Sequence, residues 1–185
     1  MNRPRAVLSA AGMRLDLIPP MLGKSDLRVV IETPKGCRNK YAYDPELEAI
    51  CLRKLLPEGM VFPCDFGFIP QTSGEDGAPL DVLVLMDESA WPGCVVGCRL
   101  IGVMEAQQTE GGERRRNDRF IAVAQASLNF QHIRRPEDLP ARFVEQIEAF
   151  FVSYNKLEGK RFKPLRISGT GPALKLIEAR RIKAD

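Results

Sequence analysis

The 185-residue chain contains one His, one Trp and only three Tyr. A lone imidazole, His132, rules out a histidine-rich metal site, and no nucleophile–base pair can be built around it. The five Cys (Cys37, Cys51, Cys64, Cys94 and Cys98) are odd in number and lie mostly in apolar stretches. That argues against a disulfide framework and for reduced, mostly buried thiols. Cys94 and Cys98 stand four apart with no second pair, so zinc is not expected. Long apolar runs are missing too, and with them any membrane span. The N-terminus lacks the basic stretch, apolar run and small-residue site of a secretory leader. A cytoplasmic location is therefore expected. A surplus of either charge is also lacking. Net charge is +3, which argues neither for nor against nucleic acid.

What is present is the composition of an ordinary globule, 44% apolar and 28% charged, with a length that suits one domain over residues 1–185. Residues 1–26 read as a loose lead-in. β-Branched or alternating runs predict strands over Leu27–Glu32, Asn39–Asp44, Ala49–Leu56, Leu80–Met86, Cys94–Met104 and Arg119–Ala124. The stretch Val61–Ile69 holds Pro63 and is expected to be irregular or an edge. The polar segment from Gln107 to Asn117, with Arg114, Arg115 and Arg116 near its end, reads as an exposed hairpin loop. Trp91, ahead of Pro92 in a turn, is expected to pack. The period changes at Leu139: with Phe143, Ile147, Phe150, Phe151, Tyr154 and Leu157 it forms one helix face. Asp138 can cap that helix, Pro140 suits its first turn and Gly159 can end it. After a Gly-rich break a second helix is expected over Ala173–Ile182. Strands first and helices afterwards predict an α+β, mainly β fold: a closed or partly closed barrel with helices outside.

The most informative stretch is residues 75–84, Glu-Asp-Gly-Ala-Pro-Leu-Asp-Val-Leu-Val. Gly77 and Pro79 stiffen a turn that carries Asp76 and Asp81, a hard-oxygen pair of the sort Mg²⁺ prefers. Strand alternation directs Asp81 to the mouth of a barrel while Val82 and Val84 face elsewhere. Ala78, between the acids, leaves a gap where a third carboxylate would fit. Cations stand in compatible places: Lys40, Arg53, Lys54, Arg119, Lys156, Lys160 and Lys163. Carboxylates gathered with Lys and Arg suit a metal–phosphate complex. Glu32 ends an apolar strand, where a carboxylate needs a partner, and Lys40 is the candidate.

The chain resembles the family I (soluble) inorganic pyrophosphatases from about Val29 to Gly159. The anchors are VVIE (29–32), KYxYD (40–44), FPCDFGFIPQT (62–72), D-G-x-P-L-D-V-L-V (76–84), PGCVV (92–96), R-x-x-G-V (99–103) and FFVSYNKLEGK (150–160). The resemblance implies a five-stranded OB-like barrel with flanking helices. It also implies Mg²⁺-dependent hydrolysis of pyrophosphate to two phosphates (Mn²⁺ being the alternative metal) and a homo-oligomer, commonly a hexamer in bacteria. By position, Asp76 and Asp81 match metal-binding aspartates. Lys40 and Tyr154 match phosphate contacts, and Glu32 matches a site glutamate. Lys54 and Arg119 fall where the family has an arginine and a lysine. Other positions depart. Ala78 replaces the aspartate that holds the attacking water, so no catalytic base is assigned. Ala42 replaces a glutamate, Phe66 a tyrosine and Asn155 a lysine. Asn117 falls on a further metal aspartate, and a one-residue slip would recruit Asp118 through a bulge or loop. The upstream aspartate falls within Gln107–Glu110, where only Glu110 is acidic; Glu75 is the other carboxylate available as a substitute.

A weakened pyrophosphatase is the function expected. The alternative is an inactive relative that binds phosphate compounds or partners. Nucleic acid is not an expected partner, despite the Arg114–Arg116 run, because the aromatics lie mainly in core positions.

Overall fold

A computed structural model describes residues 13–182; residues 1–12 of the expected lead-in, and residues 183–185, lie outside them. Within the remainder of the lead-in, only Leu15–Leu17 form a 3₁₀ turn. Nine strands follow: β1 (Asp26–Thr33), β2 (Asn39–Asp44), β3 (Ala49–Leu55), β4 (Asp65–Ile69), β5 (Leu80–Leu85), β6 (Val95–Glu110), β7 (Glu113–Arg116), β8 (Arg119–Ala124) and β9 (Arg161–Gly169). Helix α1 (Ala141–Lys156) precedes β9, and α2 (Thr170–Ala179) follows it.

Strand pairing runs β1–β4–β5–β8–β6 and returns from β6 to β1, so five strands close a ring. This is the five-stranded barrel the sequence led us to expect. Every ring strand contributes to one apolar cluster, with Leu27, Val29, Ile31, Ile69, Val82, Val84, Leu100, Phe120 and Ala122 among its members. Alternation along each strand turns these residues inward. Ala173 and Ile177 of α2 join that cluster. The alternate residues Phe66, Leu83, Leu85, Ile121 and Val123 face outward and are covered by Ile147 and Phe151 of α1. Gly67 is required where β1 meets β4, since a Cβ there would stand 2.0 Å from the Val30 carbonyl oxygen.

Five details depart from the sequence reading. The stretch expected to be irregular around Pro63 contains β4, fully buried and paired on both sides; Pro63 lies just outside it and costs no ladder bond. The expected loop from Gln107 is the far half of β6, which pairs with β7 on one side and β9 on the other. The strand β9 stands in place of the Gly-rich break. Its Pro164 sits at a register shift against Glu105 and Ala106, where the missing amide is tolerated. Trp91 is 85% exposed rather than packed: its carbonyl accepts from the Cys94 amide (3.0 Å) and Gly93 adopts φ +89°, a turn that projects the ring outward. Asp138 caps the 3₁₀ turn Pro136–Asp138 by accepting from the Arg135 amide (3.1 Å), and α1 begins after Pro140 without a side-chain cap.

Candidate active site

The turn before β5 is built by its own sequence. The Asp76 carboxylate accepts from the Ala78 amide (3.1 Å), the Gly74 amide donates to the Ala78 carbonyl (2.7 Å), and Gly77 takes φ +80°. This holds Asp76 at the edge of a cavity of about 170 Å³, which Asp81, Asp118, Glu75, Arg116, Asn117 and Arg180 also line. The three acidic residues singled out from the sequence therefore share one hollow.

Their surroundings differ. Asp81 shares its strand face with Leu83 and Leu85, and its Oδ2 lies 2.7 Å from Arg119 Nη1. Crowding by protein atoms pushes the Asp81 carboxyl up, while Arg119 and Lys40 pull it down. Arg119 is buried against the rings of Phe151, Phe162 and Phe66, at 5.0, 5.4 and 6.0 Å. Its Nη1 also donates to the Asn117 side chain, and its Nε has no partner. Asp118 is engaged on both oxygens. Oδ1 accepts from the Ala106 amide (2.9 Å) and Arg116 Nε (3.2 Å), and Oδ2 accepts from Arg116 Nη2 (2.9 Å). Asp118 and Asn117 both fall between β7 and β8, outside regular strand, so alternation does not separate them. Asn117 donates to Gln108 (2.8 Å), which makes a neutral amide pair beside the acids.

Glu32 and Lys40 pair as expected. Lys40 Nζ lies 3.2 Å from Glu32, whose other oxygen accepts from the Tyr43 amide (2.8 Å). Burial pushes the Glu32 carboxyl up. Lys40 Nζ also stands 4.4 Å from the centre of the Phe66 ring. Lys54 pairs with Glu158 and lies over Tyr154, 4.5 Å from its ring centre. Burial, with the like charges of Lys160 and Lys40, pushes its ammonium down to about 8. Burial pushes the Tyr154 hydroxyl up to about 12, where it remains a donor at neutral pH. Tyr154 lies within electrostatic range of both Arg119 and Asp81. Asp81 thus stands within electrostatic range of Lys40, Arg119 and Tyr154, and Lys54 within range of Lys40. Asn155 turns inward to donate to the Phe151 carbonyl (2.8 Å). Lys163 lines a separate hollow.

Several neighbours were not singled out from the sequence. Arg180 pairs with Glu75 (2.6 Å), which also accepts from the Arg116 amide (2.7 Å); that amide and Arg180 hold the Glu75 carboxyl low. Arg116 reaches past Asp118 to Glu105 (3.1 Å). Only the clustering of Arg114–Arg116 in sequence hinted at this. Glu110, one proposed substitute carboxylate, is exposed and paired with Lys160 (3.2 Å).

Asp76 and Asp81 are the carboxylates of the cavity with the fewest partners of their own. Asp76 has no ion pair among the described residues, and Asp81 lines the same cavity with only one. Asp118 and Glu75 each have a donor on both oxygens. Among the described residues no three His, Cys, Asp or Glu side chains converge as a metal-binding group. No described helix is long and apolar enough to cross a membrane.

The family model for inorganic pyrophosphatase matches residues 29–184. The inorganic pyrophosphatase of Thermus thermophilus is 39% identical over 143 residues, 77% of this chain and 79% of that protein. That of a Synechocystis species is 34% identical over 166 residues, 90% of this chain and 96% of that protein. A crystal structure of the Thermus thermophilus enzyme superimposes with a TM-score of 0.83 at 34% identity, covering 90% of this chain and 96% of the other. Members of this family are metal-dependent in general. The ring of strands, the Asp76–Asp81 turn and these matches agree, and the chain belongs to the inorganic pyrophosphatase family, by resemblance a phosphoanhydride hydrolase.

Proposed function

We propose that the chain hydrolyses inorganic pyrophosphate to two phosphates with a divalent cation held between Asp76 and Asp81, at a rate lowered by Ala78, Ala42, Phe66 and Asn155. The observation that carries this reading is the meeting of Asp76 and Asp81 in one cavity beside buried Arg119, whose Nε lacks a partner. Mg²⁺ is the cation proposed, Mn²⁺ the alternative, because both ligands are hard carboxylate oxygens. When bound, the cation neutralises phosphoryl charge and acidifies a water. Arg119 offers its free donor to a phosphoryl oxygen. Lys40, oriented by Glu32, supplies a second cation. Lys54 and Tyr154 bring an ammonium and a protonated hydroxyl to the far end of the anion. Asp118 joins the metal set only where Arg116 yields it. With Ala at position 78, no side chain is assigned to hold the attacking water.

The same reading takes residues 1–185 as one domain, working as a cytoplasmic homo-oligomer, a hexamer by family resemblance. The test is phosphate release from pyrophosphate with Mg²⁺ or Mn²⁺. Slow release is expected, and Asp81→Ala should abolish it. Release that survives in Asp81→Ala would reject the site. A second reading, phosphate binding without turnover, is favoured by the Gln108–Asn117 amide pair and by the hold of Arg116 on Asp118.

A further inference from the structure

The far half of β6 lies between β7 and β9, and register places their side chains in rows. Arg114 and Arg161 both pair with Thr109, Arg116 and Lys163 with Gln107, and Arg166 with Glu105. Directly paired residues share a face of the sheet. One face thus carries five cations and a single carboxylate. That carboxylate, Glu105, is nearly buried and fully engaged. It accepts from Arg166 Nε (2.8 Å) and Nη2 (3.2 Å), Arg116 Nη2 (3.1 Å) and Ser168 Oγ (2.6 Å). Arg114, Arg161 and Lys163 are exposed and have no ion pair among the described residues; together with Gln107 and Thr109 they line one hollow of about 100 Å³. On the opposite face the charges balance: Glu113 pairs with Arg115, and Glu110 with Lys160.

We infer that the hollow lined by Arg114, Arg161 and Lys163 is a second anion site, outside the catalytic cavity, and that it takes linear inorganic polyphosphate. Arg114 and Arg161 sit two strand spacings apart, roughly 10 Å, and Lys163 is a further two residues along β9, roughly 7 Å. A chain of phosphates matches that spread, whereas a single phosphate reaches one cation or two. Gln107 and Thr109 lie between the cations with their side-chain donors unused among the described residues, and they suit the oxygens between charged contacts. Single-stranded nucleic acid needs aromatic platforms, and this face has none: Phe162, the aromatic residue of β9, turns into the core.

The test is calorimetry without divalent cations, using long-chain polyphosphate, orthophosphate and an oligothymidylate as ligands. Polyphosphate should bind, with log K falling against log salt at a slope of about −2, near −0.7 for each of three contacts. The variant Arg114→Ser/Arg161→Ser/Lys163→Ser should weaken binding by about tenfold or more and leave pyrophosphate hydrolysis unchanged. Lys163→Glu alone, with an unchanged melting temperature, should shift affinity the same way and so separates charge loss from unfolding. Equal affinity in wild type and variants would overturn the inference. So would loss of binding in Arg119→Gln, which would return the ligand to the main cavity. Oligothymidylate bound as tightly as polyphosphate would overturn it in favour of nucleic acid.

Discussion

Arg119 stands where an incoming cation would have to act on Asp81, and replacing it has a calculable effect. At 2.7 Å the pair attracts by roughly 6 kcal/mol at an effective dielectric of about 20. Much of that is offset by the desolvation of both groups, and Asp81 keeps a 26% exposed side chain. A net competition of about 1.4–2.8 kcal/mol remains, which is roughly ten- to a hundredfold in affinity. Arg119→Gln retains most of the bulk against Phe151 and Phe162 and removes the charge. It should therefore tighten Mn²⁺ binding by that factor, as read by paramagnetic resonance of free Mn²⁺, with circular dichroism confirming the fold. Orthophosphate added to the wild type should act in the same direction, because it draws the guanidinium away from Asp81. Linkage then requires that Mn²⁺ tighten phosphate equally, and the coupling should shrink in the variant. Mn²⁺ bound no more tightly by Arg119→Gln would refute this. The guanidinium would then not shield Asp81, and the cation would bind elsewhere.

Ala78→Asp adds a carboxylate at an exposed turn position; stability should change by no more than about 0.5 kcal/mol, and pyrophosphate turnover should rise about 10²–10³-fold. No rise would favour the binding role. Glu105 is held down to about 2, against an ordinary 4.5, first by Arg166. A lowered folded-state value means that its stabilisation is complete above about pH 4.5 and disappears as pH falls through about 2. Glu105→Gln should cost about 2 kcal/mol at pH 7, less than the full shift because Arg166 is largely exposed, and urea titrations should find the gap closing between about pH 5 and pH 2. A gap that does not vary with pH would count against the ion-pair account. Gly67→Ala forces a Cβ onto the Val30 carbonyl and should cost about 3 kcal/mol by overpacking the β1–β4 seam; a loss under about 1 kcal/mol would mean the strands separate easily there.

The sequence was most readable where one face of an element is apolar and the other is not. The runs Asn39–Asp44 and Arg119–Ala124 coincide with β2 and β8 because both ends are set by turn residues. In β9, Pro164 and three basic residues mask the alternation, and only pairing with β6 makes a strand of it. The far half of β6 was hidden in the same way, its polar side chains being those of a two-sided extension beyond the core. In the site, the Glu32–Lys40 pair was legible, since a carboxylate ending an apolar strand must find a partner. The hold of Arg116 on Asp118 and of Arg180 on Glu75 was not. Arg116 and Asp118 lie two residues apart in a polar stretch that gives no sign of which charges pair, and Arg180 reaches Glu75 only by the return of α2.

The outward-turned Trp91 is the molecule's sole indole. Its emission should be that of a hydrated ring, so a denaturation followed by fluorescence would look nearly flat while the backbone signal collapsed. The same ring becomes a sensor of association: anything that seats on the Trp91–Cys94 loop should shift its spectrum to the blue without any change in the fold beneath.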